Sequence, residues 1–223
     1  MTVLAVVGLA REARIARRAK LIPIISGGDG ELLAGRLEEA IAKHKPCGIV
    51  SFGIAGALAP LLKVGDTVIA SHVVHEDERY PTDARWTAAM RAKLPRAHSA
   101  ILAGHGQIVS HIDGKRRLRA LTGAAAVDME SHIAARIAAR HGIPFVALRT
   151  ISDAAGRGLP PAALLPLKPS GRIRLRRILA SVASDPGQIP DLMTTGREAG
   201  RAMRALLRGR NALGLFLGCP YLG

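Results

Sequence analysis

Cysteines, aromatics, acids and long apolar runs are all scarce in this chain of 223 residues. Its two cysteines, Cys47 and Cys219, lie far apart in the sequence. They cannot form a disulfide framework, and they fall short of the roughly four clustered ligands of a structural zinc site. A reducing compartment is therefore expected. Three Phe, two Tyr and one Trp make only 3% aromatic residues, which leaves few rings on which bases could stack and weighs against nucleic-acid binding. The longest uncharged run, Pro46 to Leu62, is interrupted by Gly48, Gly53, Gly56 and Pro60 and is shorter than the roughly 20 residues of a spanning helix. Thr2 to Ala10 is apolar, but Arg11, Arg14, Arg17 and Arg18 follow it, whereas a secretory signal carries its charge in front. The expectation is a cytoplasmic protein, attached at most to a membrane surface.

What the chain does have is apolar residues, 48% of the total, and base: 32 Lys and Arg against 17 Asp and Glu, a formal charge of +15. A chain of this size buries roughly 70% of its extended surface, enough for one sizeable core, so residues 1–223 are read as a single domain. Short apolar runs fit buried strands: Val3 to Val7, Leu21 to Ile25, Gly48 to Phe52, Thr67 to Val74, Ala100 to Val109, Ala125 to Val127 and Pro144 to Ile151. Between them, Gly30 to His44 places Leu32, Leu33, Leu37 and Ile41 near helical period, and Met129 to His141 does the same with Ile133 and Ile137. Strands that alternate with helices, with few hairpin dipeptides, predict an α/β layered domain around a parallel or mixed sheet.

From Pro169 onward the composition changes to nine arginines, no lysine and three acids. Arg197, Arg201, Arg204 and Arg208 fall along one side of a helix whose other side carries Met203, Leu206 and Leu207. Such a stripe is either a solvated outer face or a surface for the anionic phosphates of lipid or nucleic acid. A non-catalytic module binding those polyanions is the reading from a different class.

Three segments end in acids where a buried strand would continue apolar, and a buried acid is costly unless it is paired or used. Glu12 follows the strand Val3 to Val7 and Gly8, in the first turn of the next helix and near the sheet edge where α/β proteins bind ligands; it equally complements a helix N-terminus. In Val127-Asp128-Met129-Glu130, Asp128 suits a helix cap, while Glu130 can accept two hydrogen bonds from a hydroxyl pair. In Arg149-Thr150-Ile151-Ser152-Asp153, Asp153 is either a turn residue or a proton donor to a leaving group, held by Ser152. A carboxyl group free in water titrates near 4, so to keep a proton at neutral pH such an acid must be raised by about three pH units, a demand that sharing the proton with a basic ring nitrogen of a bound substrate largely removes.

The glycine-rich stretches Gly27-Gly28-Asp29-Gly30 and Ser51 to Gly56 have neither Walker A nor GxGxxG spacing, so they are not nucleotide fingerprints. The histidines form no HExxH pair; His72 and His75 lie beside acids, as surface histidines often do.

Together these segments resemble the nucleoside phosphorylase and nucleosidase superfamily, which cleaves purine N-glycosidic bonds. The resemblance rests on Val6-Val7-Gly8 with Glu12, Ser51-Phe52-Gly53-Ile54-Ala55-Gly56-Ala57-Leu58, Lys63-Val64-Gly65-Asp66, Val127-Asp128-Met129-Glu130 and Arg149-Thr150-Ile151-Ser152-Asp153, in family order. It extends to methylthioadenosine/S-adenosylhomocysteine nucleosidases and is strongest toward the hopanoid-associated phosphorylase branch, linked to adenine removal from adenosylhopane. It implies a three-layer αβα domain with a twisted mixed sheet, often in dimers or hexamers. It also implies that Glu130 binds ribose hydroxyls with Met129 under the sugar, and that Gly8, Gly53, Ile54 and Ala55 border the substrate. Asp153, aided by Ser152, would protonate the purine at N7, and Glu12 matches the position that activates water. No metal or organic cofactor is implied, and inorganic phosphate is the alternative co-substrate to water. Two positions depart from the pattern: Ile54 stands where nucleosidases often carry a small hydroxyl residue, and Phe52 near where phosphorylases place a phosphate-binding arginine. Arg11, Arg14 and Arg79 remain as phosphate ligands from elsewhere, and nothing in Ser110 to Gly114 supplies a base-stacking aromatic ring.

Overall fold

A computed structural model describes residues 1–222. Its strands are β1 (Val3–Val7), β2 (Ile22–Ile25), β3 (Gly48–Ala57), β4 (Thr67–His75), β5 (Glu78–Pro81), β6 (His98–Gly104), β7 (Ala126–Asp128) and β8 (Phe145–Asp153). The helices are α1 (Ala10–Arg17), α2 (Gly30–His44), α3 (Ala84–Lys93), α4 (Ile112–Thr122), α5 (Ser131–Arg140), α6 (Leu175–Ser184) and α7 (Ile189–Leu213). The mixed α/β class expected from the sequence is what the chain adopts. β5 is the strand that patterning overlooked: Glu78-Arg79-Tyr80-Pro81 is polar, pairs only with β4, and needs no apolar face at the sheet's edge.

One face of each central strand belongs to each of two helical layers. In β1 every residue is buried; Leu4 and Val6 join one apolar cluster, Val3, Ala5 and Val7 the other, as the two-residue period of a strand requires. The first cluster is closed by Leu33 and Leu37 of α2 and by Ile133 and Ile137 of α5. The second is closed by Ala13 and Ala16 of α1, Trp86 and Met90 of α3, and Met203 and Leu206 of α7. The inward side of α7 is thus apolar and buried, and Arg197, Arg201, Arg204 and Arg208 form its exposed side.

The sheet also closes on itself, which the strand pattern did not reveal. β3 pairs in parallel with β1 over Gly48 to Ser51, and on its other edge with β8 over Ile49 to Ala55. At a register shift between Ala55 and Gly56, β3 turns to pair antiparallel with β7. β7 pairs with β6, β6 with β4, and β4 with β8, which returns to β3. Closure brings the carboxyl ends of β3, β7 and β8 together beside that of β1. Among the described residues no helix is long and apolar enough to cross a membrane.

Candidate active site

A cavity of about 260 Å³ opens at these converging strand ends. Its wall includes Gly8 after β1, Ile54 and Ala55 of β3, Met129 and Glu130 after β7, Ser152 and Asp153 of β8, and Glu12 of α1. Of the predicted site residues, only Gly53 is not on that wall. A Cβ at Gly53 would collide with Glu12 Oε1 and Arg149 Nη1, so glycine here lets two buried charged groups pass behind the strand. Its place is structural, beneath the site, rather than against a ligand.

Glu12 lies both at the helix start and at the cavity, the two places that its position allowed. Oε2 accepts the backbone N–H groups of Gly8 (2.9 Å) and Leu9 (2.8 Å), satisfying donors at the start of α1, and Oε1 accepts that of Ile54 (2.8 Å). The side chain is at once a helix cap and part of the cavity wall. Burial pushes its carboxyl up to about 7, against the pull of the Arg149 guanidinium and with the charge of Glu130 adding to the rise. A carboxyl that exchanges its proton near neutrality is suited to general-base work.

Arg149 is the cation beneath the site. It sits in the middle of β8, only 1% exposed, and its Nε lies 2.6 Å from Asp128 Oδ2 while Nη2 lies 3.5 Å from Glu130 Oε2. Nη2 also donates to Ser51 Oγ at 2.6 Å. Asp128 lies just before the N-cap of α5, which is Glu130, and its Oδ1 accepts from the Glu130 and Ser131 backbone N–H groups at 3.1 and 2.8 Å, tying down the turn into the helix rather than capping it. Glu130 Oε1 accepts from Ser26 Oγ at 2.9 Å, and burial, more than the nearby Asp128 charge, raises its carboxyl above the usual range despite Arg149. One guanidinium thus pairs with two buried carboxylates, Asp128 and Glu130, and its charge also reaches Glu12, which backbone N–H groups hold in place.

Asp153 is held from both oxygens. Oδ1 lies 2.7 Å from Ser152 Oγ, which is also 3.1 Å from the Ala55 carbonyl, while Oδ2 accepts from Lys115 Nζ at 2.5 Å. Arg149 and Lys115 are functional neighbours that motif reading passed over. Both left a signal: an arginine inside an otherwise apolar strand must be paired, and in α4 Lys115 shares a helical stripe with Leu118, three residues on.

Elsewhere, the histidines and arginines singled out from the sequence stay away from the cavity. His75 stacks on His132 with ring centroids 4.1 Å apart and places Nδ1 3.0 Å from the Gly104 carbonyl. His72, Arg11, Arg14 and Arg79 are exposed and none lines the cavity.

Carboxylates gathered at the carboxyl ends of a closed mixed sheet, one of them titrating near neutrality, define an α/β enzyme of acid–base chemistry. The model of the phosphorylase superfamily matches residues 18–168, and the chain belongs to that family. Among curated relatives, a 5'-methylthioadenosine/S-adenosylhomocysteine nucleosidase of Geobacillus kaustophilus is 29% identical over 161 residues, 60% of this chain and 67% of the relative. The nucleosidase of the same name from Geobacillus thermodenitrificans is 30% identical over 141 residues, 51% of this chain and 58% of its own length. In fold, the chain is similar to futalosine hydrolase of Helicobacter pylori, with a TM-score of 0.71 at 14% identity over 95% of this chain and 97% of that one. It is likewise similar to an S-adenosylhomocysteine nucleosidase of Streptococcus pyogenes, with a TM-score of 0.69 at 17% identity over 94% and 95% of the two chains.

Proposed function

We propose that the protein hydrolyses the N-glycosidic bond of a purine nucleoside, with Asp153 as acid, Glu130 as sugar ligand and Glu12 as base. The observation that carries this is the opening of all three carboxyl groups onto one cavity, although they lie far apart in the chain. The bond breaks as the base is protonated and the sugar gains cationic character. Asp153 and Ser152 serve the first need, and the buried negative charge of Glu130 serves the second. Met129 lies on the same wall and would pack under the sugar. Water is favoured as acceptor, because no Lys or Arg among the described residues lines the cavity to hold phosphate, whereas Glu12 is placed to activate water.

The substrate in this reading is an adenosine carrying a large apolar 5′ group, adenosylhopane in the specific form. Ile108, Val109, Leu159, Leu165 and Leu167 support it, since they contribute apolar surface to the cavity. Methylthioadenosine or S-adenosylhomocysteine is the second reading, favoured by the names of the curated relatives.

Contact with an anionic lipid surface fits a lipid-bearing substrate, and α6 supports it better than the arginine side of α7. α6 buries none of its residues; Leu175 is 65% and Leu179 59% exposed, and Ile173 just before it is 59% exposed. Arg172, Arg174, Arg176 and Arg177 flank these apolar residues with no acid among them. An exposed apolar strip bordered by arginines is the pattern of a helix lying in a membrane interface.

The deciding experiment measures adenine released from adenosylhopane and from methylthioadenosine, with and without phosphate. Release from adenosylhopane, unaffected by phosphate and reduced about 10²- to 10⁴-fold in Asp153→Asn, is expected. Release from methylthioadenosine alone would move the substrate to the second reading. No release from either, or full activity in Asp153→Asn, would end the glycosidic proposal.

A further inference from the structure

Lys115 is the one lysine of α4 that is fully buried, 1% exposed, and its ammonium has three N–H donors. All three are engaged: Asp153 Oδ2 at 2.5 Å, the Ala154 carbonyl at 2.9 Å and the Arg157 carbonyl at 3.0 Å. Burying an ammonium is costly, and a lysine needed only to pin α4 could have been replaced by an apolar residue. Here it is aimed at the carboxyl group that must hold a proton when the base leaves. The Nζ–H that Lys115 donates to Oδ2 at 2.5 Å is a proton already directed at that carboxyl group.

We propose that Lys115 is the positioning residue that stores this proton and supplies it through Asp153. The inference rests on the glycosidic reading above. As the nucleoside seats, one proton moves from Lys115 Nζ to Asp153 Oδ2; rotation about the Cγ–Oδ2 bond turns the new O–H into the cavity, where it passes to purine N7. The electron pair of the C1′–N9 bond leaves with the base. Water adds its oxygen to C1′ and yields a proton to Glu12. The neutral amine of Lys115 retains two N–H groups, matching the two carbonyls of Ala154 and Arg157, and its lone pair accepts the Oδ2 O–H until that bond turns toward the base. After product departs, Glu12 gives its proton to solvent and Lys115 takes one up, which restores the starting charges. The two carbonyls thus hold the nitrogen in place in both protonation states, while Ser152 holds the other carboxyl oxygen.

The test compares wild type, Lys115→Met, Lys115→Arg and Asp153→Asn on methylthioadenosine and adenosylhopane, each also as its N7-methylated cation, whose base departs without receiving a proton. Lys115→Met is expected to lower kcat about 10²-fold on the unmethylated nucleosides with KM little changed. Both Lys115→Met and Asp153→Asn should cleave the methylated substrates at close to the wild-type rate. Lys115→Arg keeps the charge but does not give up its proton, and should fail to restore the unmethylated reaction. Equal loss on methylated and unmethylated substrates would make Lys115 purely structural, and recovery in Lys115→Arg would reduce its part to charge; either overturns the relay. Undiminished turnover by Lys115→Met does so too while leaving the glycosidic reading standing. A wild type that cleaves none of the four substrates removes that reading and the relay together.

Discussion

In the proposed mechanism, Glu12 sets the pH at which the site works. Burial raises its carboxyl to about 7, so below that pH the group is protonated and cannot take a proton from water. The value of kcat/KM is therefore expected to rise about tenfold per pH unit below about 7 and to level off above it. A profile that stays flat through neutrality would remove Glu12 as the base. The acids themselves were legible in the sequence, because Glu12, Glu130 and Asp153 interrupt apolar patterns at the ends of strands. Their partners were less so. Arg149 lies in the same stretch as Asp153, yet its pairing with Asp128 and Glu130 joins β8 to the end of β7 and the turn after it, and spacing along the chain carries no such distance information.

At the scale of the element, β3 does most to position the site. It runs between β1 and β8 and then changes partner at Ala55/Gly56, so that its last residues border the cavity while its middle stays buried. Gly53 lies opposite Arg149 in that middle stretch. Gly53→Ala would force its new methyl against the Glu12 carboxyl and the Arg149 guanidinium, both anchored by hydrogen bonds. Overpacking of this kind costs about 1–3 kcal/mol, and it displaces the base as well. We expect urea denaturation to show that loss and turnover to fall more steeply than stability does. An unchanged rate in this variant would mean that the Glu12 position is not critical. The strands Val3–Val7 and Thr67–His75 and the helix Gly30–His44 were readable nearly to the residue, because each buries a regular apolar face. β5 was not, since a polar edge strand has no such face.

At the scale of the whole molecule, the proposed lipid contact combines a charge of +15, which favours anionic surfaces, with the exposed apolar side chains of α6. α6 also lies outside residues 18–168, the stretch matched by the family. In vesicle sedimentation, binding to phosphatidylglycerol but not phosphatidylcholine is expected, weakening with salt. Leu175→Glu with Leu179→Glu should lower that binding at least about tenfold and leave the fold intact, because both residues are exposed. Absence of binding by the wild type would exclude the lipid surface. If the double variant instead converts an oligomer to a monomer, the strip is an interface between copies of this chain.

From its order of residues alone, this protein determined its α/β class, most of its strands and helices, and the identities of the acids at its site. These follow from local periodicity and from the cost of leaving a carboxylate in an apolar run. The tertiary structure alone decided that the sheet closes, that one guanidinium pairs with both Asp128 and Glu130, and that a lysine from α4 reaches Asp153. Each of these joins atoms distant in the chain, so each depends on how the strands pair and how the helices pack rather than on any stretch of sequence by itself.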